Sequence, residues 1–321
     1  MLRQRQKGCV IRTHTTGRRD PVRTDPLDST FDPEGYVRKT ATEELLPDAQ
    51  EMTDDALNVA GFPAYIYRKR KCGRYCSCND KHFYTPNSEC LVCFGTGRVG
   101  GYDKSGFQTD VLDVSYPKQS KYNVIINPNV KPNHYELNPV KIEGVVVFEV
   151  PIPKCQYIDK LICYVSTPKN TSFEMFVAPE SSNNFQPATR ELINSYINGG
   201  VSKMQLQVTL KRDNTTIESP TLTHVYVRWA VSPQSFLLNL PNLTKSIAGG
   251  DFQLPDIFET IEMEITHKVG ELSTEDFFEI VKTGDRLKIT EITAHDPIHI
   301  NLGYSGSVRP VTDFEVYKSI P

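Results

Sequence analysis

Five of the chain's eight cysteines fall between Cys72 and Cys93. The stretch reads Cys72-Gly-Arg-Tyr-Cys76-Ser-Cys78, then a polar loop, then Cys90-Leu-Val-Cys93-Phe-Gly-Thr-Gly-Arg-Val-Gly-Gly-Tyr102. A Cys-x-x-Cys such as Cys90/Cys93 forms a knuckle that aims two thiolates at one centre. A second pair about a dozen residues upstream completes a tetrahedral site. So short a stretch cannot bury enough apolar surface to fold alone, so a bound metal has to supply folding free energy. The ligand set is Cys76, Cys78, Cys90 and Cys93 around a structural zinc. Cys72 is an alternative ligand in place of Cys76 or Cys78, because Cys-x-Cys is a tighter first half than the common Cys-x-x-Cys. Two other readings of the spacing stay open: His82 in place of one sulfur, and disulfides in place of metal.

The run from Gly95 to Gly100 also matches GxGxxG letter for letter. A dinucleotide fingerprint must follow a strand and open a helix, and this one follows a cysteine knuckle with no helix-forming continuation. Its glycines therefore belong to a turn beneath the metal and a hairpin return.

With 321 residues the chain has room for two or three domains, and 38% apolar residues are enough to fill their cores. No apolar run is long enough to span a bilayer, and the basic N-terminus lacks the apolar centre of a secretory signal. The expectation is a soluble protein made inside a cell. Thirty-six Lys and Arg against 39 Asp and Glu give a net charge of -3, which argues against binding nucleic acid through the whole surface.

Residues 1–41 read as an extended arm. They are rich in Arg, Pro and Thr and show no sustained period of 2 or 3.6, so they order only against a partner. Arg3, Arg5, Arg12, Arg18 and Arg19 supply planar donors suited to carboxylates on that partner. Residues 42–71 read as a helix and a strand. Pro47 suits the first helical position, Asp48 and Glu51 suit the positive end of the dipole, and Gly61 suits the stop. Ala64 to Arg68 then alternates toward a strand.

The cysteine stretch permits two resemblances. Cys90-x-x-Cys93-x-Gly95-x-Gly97 resembles the zinc-centre repeat of the DnaJ-type cochaperones, which carry several copies where this chain has one, and the His-Pro-Asp tripeptide of a J-domain is missing. The fuller pattern over about 42–115, a helix, a short strand and a ribbon ending Cys-Phe-Gly-Thr-Gly-Arg-Val-Gly-Gly-Tyr-Asp, is similar to zinc-ribbon-bearing virion structural proteins of tailed bacteriophages. That resemblance implies a zinc ribbon over 72–103 and a neck, collar, baseplate or tail component. It brings no catalytic residues.

Residues 104–235 are all-β by pattern. Val145–Val150, Tyr157–Val165 and Phe173–Val177 are strands, and Met204, Leu206, Val208 and Leu210 alternate with polar residues. Val225, Val227 and Trp229 alternate with Tyr226 and Arg228. Short strands between Pro, Asn and Gly signals predict a β-sandwich, and the run Leu206–Trp229 is similar to the jelly-roll modules that phage and carbohydrate-binding proteins share. Residues 236–321 predict a small α+β domain, with a helix opened by Ser273-Thr-Glu-Asp276, faced by Phe277, Ile280 and Val281, and ended by Gly284. The fold class is thus mainly β.

No catalytic set emerges. His295 and His299 have zincin spacing but Pro297 lies between them. Gly303-Tyr-Ser305-Gly-Ser307 lacks the second glycine of a nucleophile elbow. The expected function is a non-enzymatic structural component of a tailed-phage virion, a multi-copy ring at the neck or head–tail interface, whose partners are other virion proteins and copies of itself. It calls for no small-molecule substrate and no membrane. The alternatives are a baseplate or tail protein, a cochaperone-like or nucleic-acid-binding zinc-ribbon protein, and a carbohydrate-binding role for the sandwich. Arg68, Lys69, Arg70, Lys71, Arg74 and Lys81 near the cysteines are what favours nucleic acid.

Overall fold

The computed structural model describes residues 51–311 except 53, 56, 59–60, 80–85, 128, 181, 183, 242–259 and 296–302. Arg3, Arg5, Arg12, Arg18, Arg19, His82, Lys81 and His299 lie outside the described residues. Helical residues 51–52, 54–55 and 57–58 (α1) lead to strands β1 (Phe62–Lys69), β2 (Tyr102–Lys104), β3 (Phe107–Asp113), β4 (Gln119–Tyr122) and β5 (Val124–Asn127). There follow β6 (His134–Leu137), β7 (Glu143–Pro151), β8 (Tyr157–Ser166), β9 (Thr171–Pro179) and β10 (Gln186–Pro187). After helix α2 (Arg190–Asn198) come β11 (Lys203–Arg212), β12 (Thr221–Ala230), β13 (Phe236–Asn239), β14 (Ile261–Thr266), β15 (Phe277–Ile280), β16 (Arg286–His295) and β17 (Gly303–Pro310).

Two five-stranded sheets make the middle of the molecule. One runs β10-β9-β11-β7-β4; the other joins β3, β12, β6 and β5 with β8 on β12. Alternation does the work in the first sheet: Val146, Phe148 and Val150 of β7 and Met204, Leu206, Val208 and Leu210 of β11 are all fully buried. They meet Leu112, Tyr135, Leu137, Val225, Val227 and Trp229 of the facing sheet in a single apolar cluster. Trp229 is on the core side as its alternation requires, and its indole donates to Asp110 Oδ2 at 2.9 Å.

The sequence pattern gave no warning of α2, which lies inside a region read as all-β. Its signals are local: Thr189 caps it by accepting from the Leu192 N–H, and Gly199 and Gly200 end it. Leu192, Ile193, Tyr196 and Ile197 recur at helical spacing and close the end of the sandwich core.

The C-terminal region departs from the α+β expectation. β13-β14-β17-β16-β15-β1 form one sheet, and pairing of β13 with β1 closes it into a six-stranded barrel, with β2 attached to β1. The predicted helix at 273–284 is instead a turn followed by strand β15. Asp276 accepts from the Ser273 and Lys69 N–H groups, so the capping-type residues close a loop. Phe278 and Ile280 point into the barrel core, and β15 pairs with both β1 and β16. Long-range strand pairing overrides the local helix signal. The strand expected to stand with a helix in 42–71 is likewise a barrel stave: Ala64 and Ile66 are buried among Leu238, Ile265, Phe278 and Ile289. The Gly61 N–H closes the last turn of α1 on the Leu57 carbonyl at 2.7 Å, and Asp54 of that helix accepts from Thr266 of β14.

Candidate metal centre

The polypeptide between β1 and β2 makes two short rungs. Tyr75 bridges Arg98, the Cys76 N–H donates to the Gly97 carbonyl at 3.0 Å, and the Val99 N–H donates to the Arg74 carbonyl at 3.0 Å. The knuckle follows Cys90. The Phe94 N–H returns to the Cys90 carbonyl at 2.7 Å and the Thr96 N–H to the Cys93 carbonyl at 2.9 Å. Gly95, Gly97, Gly100 and Gly101 all have positive φ, so the GxGxxG letters encode turns. At Gly100 a Cβ would come within 2.6 Å of the Arg70 guanidinium, and at Gly101 within 2.6 Å of Phe94.

This backbone converges Cys76, Cys78, Cys90 and Cys93. All four are buried, and their sulfurs lie within 4.8 Å of one another. Cys76 and Cys90 sulfurs are 3.6 Å apart, and those of Cys78 and Cys93 3.4 Å. Sulfurs at ~2.3 Å from a tetrahedral ion stand roughly 3.8 Å from each other, so the group fits a four-coordinate ion. Cys72 is not among the clustered sulfurs. None of the four is disulfide-bonded in this arrangement.

The electrostatics make the same point. Hydrogen bonds from Cys76 and Cys90 hold the Cys93 thiol down at about 4. Cys76 is pushed the other way by its hydrogen bonds to Cys90 and Cys93 and by burial. Four sulfurs this close cannot all ionise unless a cation sits among them.

The cysteines do not pack on a core of their own. They share a cluster with Val92, Val99, Val111 of β3 and Tyr226 of β12, and Ile162 and Tyr164 of β8 border it. The centre is therefore seated on the outer face of the second sheet.

Most of the described basic residues beside the cysteines have an acidic or carbonyl partner. Arg70 pairs with Asp103 at 2.7 Å and Arg74 with Asp113 at 2.8 Å; Lys69 pairs with Glu275, and Lys71 with Glu271 at 3.8 Å. Arg68 donates to the Val269 carbonyl. Of these contacts, Arg74–Asp113 ties the cysteine segment to β3 of the sandwich.

One polar cluster was not legible in the sequence. Where barrel meets sandwich, Arg228 of β12 pairs with Asp159 of β8 and donates to the Tyr67 hydroxyl at 2.9 Å. Tyr67 donates to Glu279 at 2.8 Å, and Lys104 and Arg286 pair with the same carboxylate at 2.7 and 3.1 Å. Burial alone would raise the Glu279 carboxyl, but Lys104, Arg286 and Tyr67 hold it down at about 2. Desolvation and the neighbouring Arg228 and Arg286 bring Lys160 down to about 8.

The chain is thus a mainly-β protein with a closed barrel, a two-sheet sandwich and a four-cysteine cluster able to chelate a metal ion. No protein-family model matches it, and no curated protein does either.

Proposed function

We propose that this chain is a non-enzymatic structural component of a tailed-phage virion, assembling in several copies as a ring at the neck or head–tail interface, with zinc in the four-cysteine site. In this reading the 72–103 segment is a zinc ribbon and the sandwich a jelly-roll-like module, and the partners are other virion proteins and further copies of the chain. The observation that carries it is the welding of barrel and sandwich. The cysteine segment lies against β3, β8 and β12 of the sandwich, and the charges of Arg228, Asp159, Glu279, Lys104 and Arg286 lock barrel to sandwich. A part that transmits load between neighbours needs rigidity and outer surface more than a pocket. A nucleic-acid ribbon would need its cations facing solvent, and Arg70 and Arg74 are instead committed to Asp103 and Asp113.

The zinc would be held as a tetrathiolate by Cys76, Cys78, Cys90 and Cys93, and its contribution is folding free energy. The Arg-bearing arm would reach a neighbouring protein in the particle. Antibody labelling of purified particles tests the reading. Label at the neck is expected; label at the baseplate would favour the tail alternative, and particles free of the chain would end the proposal.

A further inference from the structure

Strand β8 is ten residues long and pairs with β12 alone. At its start the other edge is served by α2: the Ile158 N–H donates to Asn194 Oδ1 at 2.9 Å, and Arg190 donates to the Asp159 carbonyl at 2.6 Å. From Lys160 to Ser166, no backbone hydrogen bond from the described residues reaches that edge, so every second residue there holds out an N–H and a C=O. Edge strands are commonly blunted by charge or proline, and Leu161-Ile-Cys-Tyr-Val165 carries neither. Leu161, Cys163 and Val165 lie at the rim of the sandwich core, Ile162 and Tyr164 at the rim of the cysteine cluster. All five are half-buried, and a strand laid alongside would extend both apolar layers at once.

Two features mark the Lys160 end of this edge. A cavity of about 190 Å³ lies between Ile158 and Leu161 of β8, Met175 of β9, and Ala188 and Ile193 at α2; one of about 150 Å³ already holds a benzene ring. Lys160 itself has no acidic partner, because Asp159 is taken by Arg228 and Glu279 by Lys104 and Arg286. The C-terminus leaves the barrel at this same place. Val311, the last described residue, packs on Tyr67 and Phe277 and donates its N–H to the Arg286 carbonyl at 2.9 Å. The Arg286 guanidinium in turn acts electrostatically on both Lys160 and Tyr164 of β8. Residues 312–321 lie outside the described residues and read Thr-Asp-Phe314-Glu315-Val316-Tyr317-Lys-Ser-Ile-Pro, with Phe314 and Val316 alternating with Glu315 at the period of a strand. We infer that this C-terminal tail docks as an added strand on the free edge of β8 of its own chain. Phe314 fills the cavity beside Leu161 and Val316 follows along the core-side rim, while Glu315, on the opposite face, pairs with Lys160 and Tyr317 lies by Ile162. Because α2 already bonds the start of β8, the tail takes the stretch from Lys160 onward and runs parallel to it. The exit of Val311 beside Arg286 favours the chain's own tail over a neighbour's. This inference goes beyond the virion reading and stands without it.

The test is amide hydrogen exchange of the full chain, resolved residue by residue along β8. In the wild type, the amides of Lys160–Ser166 that point away from β12 should be protected. Phe314→Asp should speed their exchange at least about tenfold and leave β11 unchanged. Glu315→Lys should do the same, and adding Lys160→Glu to it should restore protection, because the pair is then reversed in sign. Unchanged Trp229 fluorescence in every variant shows that the fold is intact. Edge amides that exchange freely in the wild type, protection indifferent to Phe314→Asp, or a sign-reversed pair that folds but stays open would each overturn the inference. So would protection that falls on dilution from about 100 to about 1 µM, which would assign the edge to a neighbour's tail. Particle labelling is read separately, so either idea can fail alone.

Discussion

Strands β11 and β12 belong to one sandwich, have ten residues each, and present their outer faces to different worlds. Along β11, outward Gln205 and Gln207 are half-buried, and the strand alternates as a one-sided sheet should. Along β12 the alternation is lost: His224, Tyr226 and Arg228 point away from the sandwich core and are 0%, 2% and 1% exposed. A polar residue at an outward strand position is thus no guarantee of solvent. Tyr226 is roofed by the cysteine cluster and Arg228 by Tyr67 of the barrel. The covered face owes its burial to the four-cysteine segment and to the barrel, and that dependence is what experiment can attack.

The largest effect should come from the metal. Purified protein should carry close to one ion per chain, and structural zinc contributes on the order of 10–16 kcal/mol to ribbon folding. Chelation at mildly acid pH, where thiolates take up protons, should unravel the ribbon and expose Tyr226, Tyr164 and Ile162 to a hydrophobic dye. The far-UV signal of the sandwich should survive. Absence of metal, with all four sulfurs blocked to alkylation until reduction, would break this account.

Next in size is the shared core. Trp229→Ala should cost about 3–5 kcal/mol, the range for a large-to-small change at a fully buried aromatic. Denaturant titration reads it, and a cost under about 1 kcal/mol would refute the packing assigned to β12.

The junction follows. Arg228→Met removes one partner from a buried pair and leaves Asp159 and the Tyr67 hydroxyl without their donor, at about 3 kcal/mol. The same junction should be acid-sensitive. The Glu279 carboxyl is depressed, so its contribution is complete above the ordinary Glu value near 4.3 and is lost as pH falls toward about 2. Glu279→Gln should remove that part of the acid dependence.

His224 gives a smaller and opposite kind of test. It is stacked on Tyr164 with ring centroids 4.2 Å apart, neither ring nitrogen is hydrogen-bonded, and burial brings it down to about 3. The nearest charge across the β12–β3 register is Asp113, which Arg74 holds. The unfolded chain takes up a proton near pH 6.5 and the folded one does not, so stability should fall by up to about 1.4 kcal/mol for each pH unit from 6.5 toward 3. His224→Phe should flatten that slope relative to wild type, and identical slopes would show that the ring is solvated. Least affected should be the outer side of β7, where Val147→Thr at a half-buried position should stay within about 0.5 kcal/mol of wild type.

Much of this protein could be read along the chain because the signals were local. Cys76, Cys78, Cys90 and Cys93 announce a metal centre by spacing, since four ligands on two tight turns reach one point whatever surrounds them. The core side of β11 and the placement of Trp229 follow from period-two alternation, which is a property of extended backbone itself. Other features depend on residues far apart in sequence. Ser273–Asp276 looks like a helix start because capping and turn closure use the same side chains, and only pairing with β1, some 210 residues earlier, makes Phe277–Ile280 a strand. The barrel closes because β1 bonds both β13 and β15. Arg228 and Tyr226 carry nothing in their own neighbourhood that distinguishes them from solvent-facing residues. Local pattern sets which residues can face a core; which outward faces end up covered depends on the assembled fold, because burial of an outward face needs a second surface, and that surface comes from another part of the chain.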